Sequence, residues 1–125
     1  MRNTVVGICL FGASVFLSCS KPNCIDSNQY SLAMKYYNSL KSTYKGEGVL
    51  IGESLLANMI LVEITEIDSK ASYGDVTVYS KKSDFELDMS KWEDWIANKS
   101  CKANLEVMKE REQEILLNSD WVEKN

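Results

Sequence analysis

The sequence predicts a small, mainly α domain of about four helices, with one short extended segment near residues 73–79. Three observations carry that expectation. Residues 52–67, GESLLANMILVEITEI, form the longest apolar run outside the N-terminus, and their spacing is helical. Apolar stripes at helical spacing recur on both sides of it. Residues 73–79 are the one β-branched and aromatic run, and a single strand has no partner with which to build a sheet.

In the 52–67 run, Leu56, Ala57, Ile60, Leu61, Ile64 and Ile67 share one broad face, and Leu55, Met59 and Val62 form a second apolar row. Ser54, Asn58 and Thr65 make a narrow polar strip on one side, with Glu63 and Glu66 on the other. A helix apolar over most of its circumference belongs in the middle of a fold. A membrane span needs about 20 mostly apolar residues, and Glu53, Asn58 and Glu63 interrupt this run.

With 125 residues the chain supports one domain. Its formal charge of −4 provides no basic patch for nucleic acid. It contains no histidine, which removes the commonest general base and the commonest zinc ligand. No cofactor and no metal are expected.

The N-terminus is an address. Met1-Arg2-Asn3 is a short basic start, the apolar stretch 5–17 follows, and no acid occurs before Asp26. That is the pattern of a secretory signal. It ends in Phe16-Leu17-Ser18-Cys19, which resembles the lipobox of bacterial lipoproteins, and FLSCSK resembles those of the Bacteroidetes in particular. Phe16 stands where leucine is more usual. The resemblance implies a signal peptide over 1–18, cleavage before Cys19, lipidation of its sulfur, and a lipidated tether over 19–25. The helical domain then occupies 26–125. Two or three acyl chains anchor a protein essentially permanently, so the expected location is the cell envelope. The periplasmic face of an outer membrane is the first expectation, with the leaflet left open.

Cys9 leaves with such a signal and Cys19 is acylated, so Cys24 and Cys101 remain in an exported setting. An even remainder points to one disulfide, with two buried or free thiols as the alternative.

Along the mature chain, Asp26 and Gln29 have capping-box spacing, and Tyr30, Ala33, Met34, Tyr37 and Leu40 form a stripe reaching about Tyr44. Lys45-Gly46-Glu47-Gly48 reads as a helix stop and turn. It lacks the full pattern of a phosphate loop. The central helix begins between Val49 and Glu53 and ends by Asp68. Ser83 with Glu86, and Ser90 with Glu93, offer successive capping boxes; the second predicts a third helix over 90–99. The last helix is expected over 102–118, with Leu105, Met108, Ile115 and Leu116 inward and Glu106, Lys109, Glu110, Arg111, Glu112 and Glu114 on its wet face. Trp121 follows in a tail.

Two pieces together, residues 49–67 and residues 90–99, resemble the closing unit of bacterial HEAT-like helical-repeat proteins. Val49, Gly52, Glu53, Ile64 and Thr65 match the first part, and Trp92, Trp95 and Asn98 the second. Glu66 stands where that family commonly has glycine, and only one helical unit is present. The resemblance implies an interaction module without catalytic residues.

Trp92 and Trp95 lie one turn apart on one helix face. Exposed, with Tyr73, Tyr79 and Phe85 near, they make a platform for sugar rings or a partner protein. Buried, they close the core, which is the usual fate of aromatics at this spacing. Asp84, Glu86 and Asp88 invite a calcium reading, but the pattern of an EF-hand loop is incomplete; acids leading into a helix are favoured by its dipole. Nothing in the sequence brings Asp75 and Asp84 together as acid and base on a glycan, and no histidine activates a serine. No catalytic residue is therefore expected. The expected function is a non-enzymatic, lipid-anchored interaction module for a protein partner, of inhibitor or immunity type. The alternative is an accessory small-ligand or glycan-binding module using Trp92 and Trp95.

Overall fold

A computed structural model describes residues 24–45 and 48–119. Among them four α-helices, α1 (Asn28–Thr43), α2 (Gly52–Thr65), α3 (Lys82–Asn98) and α4 (Leu105–Leu117), carry a mainly helical single domain, with a 3₁₀ turn at Ser100–Lys102. The signal segment, Cys19 and the tether up to residue 23, Gly46, Glu47 and Trp121 lie outside the described residues.

Contacts at the helix ends set the topology. The Cys24 N–H donates to Ala97 O at 3.2 Å, so α1 begins beside the end of α3. The Tyr44 ring lies 4.8 Å from Phe85, so α1 ends beside the start of α3. The two helices therefore run antiparallel. Helix α2 returns along α1, and its last residues share a groove with Trp95 of α3 and with Lys99, the residue that follows α3. That makes α2 and α3 parallel, so the connection over 66–81 must travel the length of the bundle. One pole of the molecule thus carries Cys24, Cys101 and the ends of α2 and α3; the distal pole carries Tyr44, Val49 and Phe85.

The crossover is extended, as expected, and forms bridges rather than a ladder. Val78 pairs antiparallel with Val49 on one side and with Ser72 on the other. The α1–α2 turn depends on backbone that glycine tolerates: Gly48 and Gly52 have φ of 105° and 56°. Glu66, where the HEAT-like pattern commonly has glycine, is the one non-glycine among the described residues at positive φ, 61°. Arg111 donates to Glu66 Oε2 at 2.6 Å and to Glu63 O at 3.1 Å.

Several local expectations are corrected. The cap of α1 is Ser27, not Asp26: Ser27 Oγ accepts from the Tyr30 N–H at 3.0 Å. Gln29 reaches across to Cys101 O and Ala103 O instead. Helix α3 starts at Lys82, eight residues before Ser90, because Phe85, Met89, Trp92 and Ile96 form one continuous inward stripe. Ser90 is exposed in mid-helix, and the N-cap, Lys81, makes no side-chain capping bond, so neither serine–glutamate box is used. Helix α4 begins at Leu105, capped by Asn104, whose Oδ1 accepts from the Val107 N–H. The polar strip of α2 faces inward: Ser54, Asn58 and Thr65 are buried, while Leu55, Met59 and Val62 are only partly so. Glu112, assigned to the wet face of α4, is buried as well.

Candidate functional site

A disulfide joins Cys24 to Cys101, with Cα atoms 5.0 Å apart. It fixes the point where the chain enters the domain to the turn between α3 and α4. Among the described residues no helix is long and apolar enough to cross a membrane.

The tryptophan pair separates into two roles. Trp92 is wholly buried, at 0% exposure, in the core with Leu40, Ile60, Leu61 and Ile96. It presents no face to a ligand, so the two-ring platform is not formed. Trp95 is half-buried and lines a groove of about 360 Å³ with Lys99, Lys102, Val107 and Arg111. Of the aromatics expected near them, Tyr79 is buried and packs against Tyr44 and Phe85 at ring distances of 5.7 and 5.5 Å. Tyr73 is half-exposed, its hydroxyl donating to Asn58 Oδ1.

The acids do not form a calcium loop. Asp84 lies in the first turn of α3, whereas Asp88 is fully buried. Asp88 Oδ2 accepts from Ser69 Oγ (2.8 Å), the Lys70 N–H (2.8 Å) and the Tyr79 hydroxyl (2.5 Å). Asn58 Nδ2 donates to the same Tyr79 oxygen at 3.0 Å. One carboxylate thereby fastens the crossover to α3, with Asn58 joining it to α2. Sequence reasoning missed this node, although Asp88 falls inside the stripe of Phe85, Met89 and Trp92. A second buried bond links Tyr36 of α1 to Glu112 of α4, and Lys35 lies 3.8 Å from the same carboxylate.

Both acceptors leave a measurable trace. Burial, and then the Asp88 carboxylate, push the Tyr79 hydroxyl far above the ordinary tyrosine value. Burial, and then Glu112, do the same to Tyr36. The unfolded chain loses these protons first as pH rises past about 10, so stability is full below that value and falls above it. Each tyrosine steepens the fall by about 1.4 kcal/mol per pH unit. Urea titrations between pH 8 and pH 11.5 should show the loss beginning near pH 10, with tyrosinate absorbance from Tyr36 and Tyr79 appearing only as the domain unfolds. Tyr79→Phe should reduce the slope.

Exposed apolar side chains concentrate on the paired extended segments. Val49, Ile51, Tyr73 and Val76 are 47–72% exposed, and a shallow depression beside Tyr44 is lined by Val49 and Ile51. Comparison of the chain with protein-family models, curated proteins and solved structures finds no match in any of the three.

Proposed function

We propose that this chain is a non-enzymatic, lipid-anchored envelope protein whose helical domain binds a protein partner, in the manner of an inhibitor or immunity protein. One observation carries the reading: Val49, Ile51, Tyr73 and Val76 stand exposed on segments that pair with one another at the distal pole. Apolar patches of this kind mark protein–protein contact sites. The burial of Trp92 counts against the glycan alternative, which needs two stacking rings. The lipobox resemblance at Cys19 supports the anchor, and the HEAT-like likeness agrees with an interaction role. A chain of charge −4 is steered toward basic partners.

The test is capture of partners from the native envelope by the full lipidated chain, tagged at its C-terminus, beside Ile51→Asp/Val76→Asp. Both side chains are exposed, so the variant should fold. A stoichiometric protein held by the parent and lost by the variant is the expected result. Retention of polysaccharide alone would overturn the reading.

A further inference from the structure

We infer that the groove at the disulfide pole receives the phosphate headgroup of an anionic phospholipid, held by Lys99 and Lys102 with Trp95 beside it at the bilayer interface. The inference rests on the lipid-anchor reading above and adds to it an orientation and a headgroup preference.

The local charge opposes that of the chain. In a protein of net charge −4, this groove is lined by Lys99, Lys102 and Arg111 against a single carboxylate, Glu66. Arg111 is already committed to Glu66 and to the end of α2. Lys99 and Lys102 are exposed and form no ion pair among the described residues. Lys99, at the C-terminus of α3, complements that helix's dipole. Lys102 lies beyond the helix, and the dipole does not account for it.

Position supplies the occupant. Four residues lie between Cys19 and Cys24, and the five residue steps span at most about 18 Å even fully extended. Cys24 is bonded to Cys101, the immediate neighbour of Lys102. Helix α1 leads away from this pole for 16 residues, a length of about 24 Å. The short tether therefore keeps the groove within reach of the headgroups and leaves the apolar distal pole facing away from them. Trp95, half-buried and lining the groove, suits the headgroup level, where indole rings partition. Val107 adds an apolar side chain to the lining.

The lysines themselves report the answer. The full lipidated protein is inserted from detergent into vesicles of phosphatidylcholine, alone or mixed with phosphatidylglycerol. It is then treated with a membrane-impermeant amine-acetylating reagent, and the sites are read by mass spectrometry. Lys99 and Lys102 should react about fivefold more slowly in the anionic vesicles than in the neutral ones. Lys45, Lys81 and Lys82, at the distal pole, should not change. Equal rates for Lys99 and Lys102 in the two vesicles, whether slow or fast, would overturn headgroup recognition. The mass of the protein before insertion separates the two readings. Acylated Cys19 with uniform labelling overturns this inference alone, whereas unmodified Cys19 overturns the anchor and the inference together.

Discussion

Replacing both cysteines, as Cys24→Ala/Cys101→Ala, is expected to destabilise the domain by about 4 kcal/mol. The bond closes a loop across a sequence separation of 77, and its loss frees the unfolded chain far more than the folded one. For a domain near 100 residues the melting temperature should fall by roughly 15–30 °C. The dependence on urea should also steepen, because the unfolded state becomes more expanded. Cys24 is buried and alanine adds no polar group there, so the effect reports the cross-link. A loss below about 1 kcal/mol would mean that the bond adds little to a fold already held by its core. Dithiothreitol acting on the parent protein should reproduce the double variant.

Trp92→Ala is expected to cost about 3–5 kcal/mol, the range for removing a large buried aromatic. Trp92 is fully enclosed where α3 meets the rest of the core, so little of the space it leaves can be closed. Trp95→Ala, at a half-buried position on the groove, should cost no more than about half as much. The ratio between the two matters more than either value. Were both rings part of an exposed platform, both variants would fold normally and lose ligand together. Equilibrium urea unfolding of the two variants decides the matter: similar stabilities would contradict the assignment of Trp92 to the core.

The central helix was legible because its evidence is local. Apolar residues at helical spacing over 52–67 leave few alternatives, and the long stripes of α1 and α4 are nearly as plain. The disulfide was legible by counting, once Cys9 and Cys19 were assigned elsewhere. What escaped was set by distant partners. Asp88 resembles any acid near a helix start until the crossover brings Ser69, the Lys70 N–H and Tyr79 to its carboxylate. Glu112 looked wet because its partners, Tyr36 and Lys35, lie on a helix remote in sequence. Asn58 belonged to a polar strip for the same reason, and Tyr79 and Tyr73 supplied its partners. Ser90 and Glu93 had capping-box spacing, but the stripe from Phe85 to Ile96 runs through them, and tertiary packing overrode the local signal. The groove at the disulfide pole was invisible in the sequence because it is assembled from three helix ends.

We propose that a lipid on Cys19 and the bond from Cys24 to Cys101 together hold this domain by one pole at a membrane. The tryptic map of the native protein, taken without reduction, tests both halves in one spectrum. Lys21 precedes Pro22 and resists cleavage, so residues 19–35 leave as one peptide. That peptide should begin at Cys19, carry the mass of a diacylglyceryl group with its N-acyl chain, and remain joined to Ser100-Cys101-Lys102. An unmodified peptide that begins before residue 19, or a free Ser100-Cys101-Lys102, would contradict the account.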